Sequence, residues 1–123
     1  MAYLNDYVLD AALSKLDTEA NRLDICTQEP VDYTGATSTY TKGNKTALSV
    51  GAPEDRTPNG RKVVVAAITD GSVTGDGTVT HWAIVDTGNT RLLATGALAS
   101  SQAVTNGNTF TLAAFDIGIP DAA

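Results

Sequence analysis

The chain has one cysteine, one histidine, one tryptophan and one methionine among its 123 residues. A single thiol excludes an intrachain disulfide. With only one imidazole beside it, no zinc site of four thiolates, or of two thiolates and two imidazoles, can be built within the chain. Basic residues are also few: eight Lys and Arg stand against 14 Asp and Glu, for a net charge of -6. No run of Lys or Arg occurs, so a phosphate backbone is repelled rather than gripped, and nucleic acid is not an expected partner. Long apolar runs are missing too. The stretch from Val63 to Ile68 is far short of the roughly 20 residues a bilayer span needs. The opening "MAYLNDYVLD" has neither the basic nor the apolar region of a signal peptide. The expectation is a chain with no membrane partner, assembled in the cytoplasm.

What is present favours strands. Hydrophobic residues make up 42% and charged residues 18%, and Thr, Ser, Gly and Asn are abundant, a balance that suits strands and turns rather than long surface helices. The length fits a single domain, 1–123, able to bury roughly two thirds of its unfolded surface. Asn5 or Asp6 can cap a helix over about 6–21, in which Leu9, Leu13, Leu16 and Ala20 share one face and Asp10, Ser14, Lys15, Asp17 and Glu19 the other, with Asn21 as the stop. Leu23 and Ile25 alternate with Asp24 and Cys26 in a strand closed by Gln28-Glu29-Pro30. From Val31 to Gly60 the pattern dissolves: Leu48 and Val50 hint at one strand, and 51–60 has the composition of a flexible loop. A meander is predicted after Gly60, from "RKVVVAAIT" through the turn-rich "DGSVTGDG" to "TVTHWAIVD", "TGNT" and "RLLATGALA". Asn106-Gly107 then centres the cleanest hairpin, a type I′ turn between Val104-Thr105 and Asn108-Thr109-Phe110. The fold class expected is mainly β (α+β), an antiparallel sheet or β-sandwich of about six to eight strands with one N-terminal amphipathic helix.

Several residues invite a chemical reading. Asp86-Thr87-Gly88 ends an apolar strand as an aspartic protease presents its carboxylate. That chemistry, however, needs two such groups sharing a proton, and flap and support strands after the motif, whereas here most of the chain precedes it. Asp-Thr-Gly between strands is also ordinary turn chemistry, and that reading is preferred. His81 sits on a strand whose alternation puts Thr80, Trp82 and Ile84 on one side and Val79, His81, Ala83 and Val85 on the other, so both faces are covered. No Gly-x-Ser-x-Gly elbow accompanies it. Cys26, beside Leu23 and Ile25, reads as a small buried core residue. Asp70, Ser72, Thr74 and Asp76 offer oxygens at two-residue intervals to a cation, but His81 stands where an EF-hand loop requires its twelfth-position Glu. No catalytic residue, cofactor-binding residue or metal ligand is therefore assigned, and no cofactor is expected. Two stretches, "ALSVGAP" and "LLATGALASSQAV", are uncharged, a liability for strands whose edges are not covered by self-association or docking.

"VLDAALSKLDTEANRLDICTQEP", "GRKVVVAAITDGSVTGDGTVTHWAIVD" and "SSQAVTNGNTFTLAAFDIGIPDA" together resemble small structural proteins of tailed-bacteriophage virions, most closely the capsid decoration or cement class. The resemblance implies a β-rich, non-enzymatic protein that docks on the capsid exterior through the major capsid protein, often as a homotrimer, and stabilises the shell. It places the chain in the virion, after assembly in the reducing cytoplasm of a bacterial host. Contact regions expected on composition are Ala2 to Asp6 and Gly51 to Gly60. Two alternatives are kept: a neck, tail or fibre component, and a carbohydrate- or host-surface-binding module, which requires Trp82, Tyr33 and Tyr40 exposed on one face.

Overall fold

A computed structural model describes residues 4–120. Helix α1 runs over Asp6–Glu19. Asn5 stays extended and its side-chain oxygen accepts from the Tyr7 N–H at 2.9 Å, which satisfies one of the orphan donors of the first turn. The helix stops where Ala20 turns extended. Its inward stripe is Leu9, Leu13 and Leu16, all buried, and it packs on strand β4 of the smaller sheet. Each such leucine contributes about 2 kcal/mol on leaving water. Arg61 of β4 reaches back to Asp10 of the helix at 2.7 Å, fixing the helix's rotation on the sheet.

Nine strands follow: β1 Arg22–Cys26, β2 Thr41–Thr46, β3 Glu54–Asp55, β4 Arg61–Val65, β5 Ile68–Val73, β6 Gly77–Asp86, β7 Arg91–Val104, β8 Thr109–Leu112 and β9 Phe115–Ile119. The fold is mainly β, with one N-terminal helix and two antiparallel sheets, as expected from the composition. The larger sheet has the order β7-β6-β1-β2-β5-β8 and the smaller β3-β4-β9. Pairing in the second half of the chain is nested around the turn at 87–90: β6 with β7, β5 with β8, β4 with β9. The β1–β2 hairpin inserts between β6 and β5.

This arrangement corrects the predicted meander. "RKVVVAAIT" is not one strand: β4 belongs to the small sheet and β5 to the large one, with exposed Ala66 and Ala67 at the crossing. On the partner ribbon Val65 faces Phe115 and Ile68 faces Leu112, so Ala113 and Ala114 lie opposite Ala66 and Ala67. The ribbon bends between sheets where four small side chains leave room for it. "DGSVTGDG" is only partly a connection, because Asp70, Gly71, Ser72 and Val73 belong to β5. The predicted Asn106-Gly107 hairpin also fails: β7 pairs with β6, and β8 with β5, at opposite ends of the sheet. Gly107 alone takes a positive φ, 92°, whereas a type I′ turn needs Asn106 there as well. The turn instead spans the curl of the sheet, with the Gly107 N–H donating to the Val73 carbonyl and the Val73 N–H to the Asn108 carbonyl.

Between Val31 and Gly60 the chain is more ordered than its pattern implies. Gly35–Thr39 form a π-helical turn, and β2 pairs on both sides although "TKGNKT" has no aliphatic residue. Val50 contributes a single bridge to Val65, and Leu48 is buried without belonging to a strand. Inside the expected loop 51–60, Glu54 and Asp55 pair with Lys62 and Arg61.

The main core lies between the sheets and under α1, and includes Leu13, Leu16, Leu23, Ile25, Val63, Val65, Ile84 and Phe110. A smaller cluster on the opposite face of β1 and β6 consists of Cys26, Ala36, Ala83 and Val85, with Tyr33, Tyr40 and Leu92 packed on it. Strand β6 is therefore covered on both faces, as its two-sided apolar pattern requires. Val79 is the exception to the expected alternation. It joins Trp82 and Ile84 at the main core, because the β6–β7 register shifts between Val79 and His81.

Candidate docking site

Strand β7 is the terminal strand of the large sheet and, among the described residues, pairs only with β6. From Leu92 to Val104 it carries no charge. Opposite the step from Val79 to His81, β7 advances from Gln102 back to Ala97, so three extra residues bulge from it. Leu98 turns toward the main core, while Ala99, Ser100, Ser101, Gln102 and Ala103 are exposed.

The curl of the sheet brings this bulge to face the β8–β9 corner across a groove of about 450 Å³, lined in part by Trp82, Leu98, Gln102, Leu112, Ala114 and Phe115. The Trp82 and Phe115 rings stack with centroids 4.6 Å apart at 39°, a favoured offset geometry. Trp82 can lie there only because Gly96 is opposite it on β7: a Cβ on Gly96 would sit 2.4 Å from the indole Cζ2. Toward the closed end, Val104 of β7 and Phe110, Thr111 and Leu112 of β8 approach one another. No charged side chain lines the groove. Carboxylates stand beside the strand at either end: Glu29 accepts from the Thr95 hydroxyl at 3.1 Å, and Asp76 accepts from the Asn106 N–H at 2.7 Å. Among the described residues neither has a cation within ion-pair distance.

The residues that invited chemistry are placed apart from one another. Asp86 accepts from the Gly88 N–H at 3.0 Å and the Asn89 side-chain amide at 2.7 Å, closing the turn. Its carboxyl is held below the ordinary range, first by the Asn89 amide, then by the backbone N–H groups of Gly88 and Asn89 and by Arg91, against the opposing effect of burial. Asn21 takes the Thr87 N–H, tying the helix–strand link to the same turn. An aspartate so bonded is an anchor for a turn. Cys26 is fully buried and donates weakly to the Ala36 carbonyl at 3.6 Å. Burial, with the nearby Asp24 charge as a second cause, pushes its thiol up to about 12, opposite to the depression a nucleophilic thiol requires. His81 Nδ1 lies 2.8 Å from the Thr80 hydroxyl, which donates to the Thr27 carbonyl. The hydroxyl oxygen thus remains free to accept, which assigns the ring proton to Nδ1.

Asp70 pairs with Lys45 at 3.0 Å, while Asp76 holds the 105–108 turn, so the four spaced oxygens of 70–76 do not converge. Among the described residues no group of three or more His, Cys, Asp or Glu could hold a metal ion. Trp82 packs on the main core and Tyr33 and Tyr40 on the smaller cluster, so the three aromatics do not form one exposed face. Of the expected contact region 2–6, Ala2 and Tyr3 lie outside the described residues; Leu4 is half-exposed and continues into an exposed ridge with Tyr7 and Val8.

Sequence reasoning missed one polar cluster. Asp24, fully buried, receives two hydrogen bonds from Arg22, at 2.6 and 2.9 Å, and one from the Thr41 hydroxyl at 2.7 Å. Simple alternation assigns Asp24 to a solvated face; the two-residue spacing of Arg22 and Asp24, which puts them on the same face, is the available signal. No family model matches the chain, and searches of curated proteins and of solved structures find no match.

Proposed function

We propose that this chain is a non-enzymatic structural protein of a tailed-bacteriophage particle, which docks on the exterior of the shell through its major protein and stabilises it. The observation that carries the docking part is the β7 edge: thirteen consecutive uncharged positions, 92–104, on a terminal strand. Soluble proteins usually blunt such an edge with Lys, Pro or a covering loop, because its free N–H and C=O groups recruit another strand. An edge left open and uncharged is a surface made to be covered. The assignment to a phage shell comes from the resemblance of the three segments quoted above, and it accords with a net charge of -6 that turns the protein away from a packaged genome.

The test is a particle lacking this chain. Shells without it are expected to lose their contents at lower temperature or milder osmotic shock than complete shells, and purified protein added back is expected to restore them. Shells of unchanged resistance overturn the stabilising role. Gel densitometry of complete particles separates shell from neck, tail or fibre: hundreds of copies accord with a decorated shell, whereas tens of copies move the chain to a single vertex.

A further inference from the structure

We propose that the groove between β7 and the β8–β9 corner is a strand-acceptor slot, taking an extended segment of a partner protein that is uncharged in its middle and basic at its ends. The inference rests on the docking reading and names the chemistry of the occupant. Both walls of the groove are sheet edges: among the described residues β7 pairs only with β6, and β8 only with β5. A segment entering between them finds backbone donors and acceptors on two sides, the geometry of strand addition, in which main-chain bonds supply affinity and alternate side chains supply selectivity. The lining fixes those side chains. Trp82, Leu98, Leu112 and Phe115 meet apolar groups, while Ala99, Ala113 and Ala114 leave room for them.

Charge fixes the ends. Glu29 beside Thr95 and Asp76 beside Asn106 bracket the uncharged span, and neither is neutralised by a cation among the described residues. A Lys or Arg on each end of the incoming segment complements them. A second copy of this chain is disfavoured as occupant, because at -6 per copy it brings like charge to the same rim.

The probe is a capped ten-residue peptide of six alternating Thr and Val flanked by two Lys at each end. Its controls are the same peptide with Glu in place of Lys and one with alternate backbone nitrogens methylated. Trp82, the only tryptophan, reports on the slot by its emission, and hydrogen exchange reports on the amides of 97–104 and 109–112. The Lys-ended peptide is expected to shift the emission and slow exchange in both strands. The Glu-ended peptide is expected to bind roughly tenfold more weakly, the sum of a few screened charge pairs, and the methylated one not to bind. Raising salt narrows the gap between the two ends.

Ala114→Arg and Ala99→Arg, one on each wall at exposed positions, are expected to abolish binding while leaving the far-UV spectrum and Tm unchanged. No exchange protection at millimolar Lys-ended peptide overturns the slot, as does equal binding of Lys- and Glu-ended peptides or full binding by both variants. If the slot fails in this way while the protein still sediments with shells, the docking reading stands and its contact is elsewhere. If the peptide binds as expected but the protein does not sediment with shells, the slot stands and the particle assignment falls.

Discussion

Replacing Gly96 by alanine tests whether the groove's aromatic pair depends on a missing side chain across the ladder. The new Cβ would lie 2.4, 2.6 and 2.9 Å from Cζ2, Cε2 and Nε1 of Trp82, where ordinary carbon contacts are about 3.5–4.0 Å. The indole must therefore retreat by about 1 Å, and the Phe115 ring, 4.6 Å away between centroids, lies in its surroundings. Overpacking of this kind costs about 1–3 kcal/mol, part of it the loss of a ring pair worth about 0.5–1.5 kcal/mol. Gly96 does not use a left-handed φ, so alanine also gains about 0.4–1 kcal/mol by restricting the unfolded chain. The net expectation is a loss of about 1–2 kcal/mol, which for a chain of this size lowers Tm by about 4–8 °C. Thermal unfolding followed by far-UV circular dichroism reads it. The decisive arm is the same change in a Trp82→Leu background. There the clash is gone and Gly96→Ala should be neutral or stabilising. If Gly96→Ala stabilises the parent protein, or destabilises both backgrounds equally, the account of the groove wall is wrong.

Three further outcomes follow from the polar groups. Arg22→Ala leaves the Asp24 carboxylate buried with Thr41 as its remaining side-chain partner and is expected to cost about 3 kcal/mol in urea unfolding; the double change Arg22→Met with Asp24→Leu should cost clearly less, and equal losses would count against a desolvated pair. Cys26 has its thiol raised from an ordinary 9.0 to about 12, so above pH 9 the unfolded chain releases a proton that the folded chain keeps. Stability should then fall as pH rises from about 9 toward 12, a slope that Cys26→Ala removes, and alkylation in the native state should track global unfolding. Asp86 has its carboxyl depressed below 3.8, so the stability it contributes is present above that pH and is lost as pH falls through the depressed value; Asp86→Ala should flatten the acid limb of the stability curve, and an unchanged limb would refute the turn-anchor role.

Elements specified by their own residues were legible in the sequence. Asn5 and the Leu9, Leu13, Leu16 stripe define α1, and the apolar alternation of β1 and β6 marks strands wherever they pair. Strand β2 was not legible, because Thr, Lys, Gly and Asn carry no strand signal; β2 is a strand because β1 and β5 present open ladders on either side of it. Asp24 was misplaced because alternation assumes one solvated face, while the π-helical turn at Gly35–Thr39 closes the second face of β1. Of the candidate site, the uncharged stretch from Leu92 to Val104 was visible as a liability. The groove was not, since Trp82 and Phe115 are far apart in sequence and meet only through the nested pairing.

The failed hairpin and the open edge are the same fact. Had Asn106-Gly107 closed β7 onto β8, β7 would have been covered by β6 on one side and β8 on the other, and its lack of charge would have meant only an interior strand. Because β8 pairs with β5 instead, and the β1–β2 hairpin separates β5 from β6, the large sheet ends in β7 at one extreme and β8 at the other. The short link 105–108 then holds those two extremes near each other without allowing them to bond as a ladder. A sheet curled this far is one strand short of closing between its own edges. The composition of β7 accords with that vacancy: Leu98 and the uncharged run around it suit a strand that is to become interior, and interior character on an exposed edge is retained where something else completes the sheet.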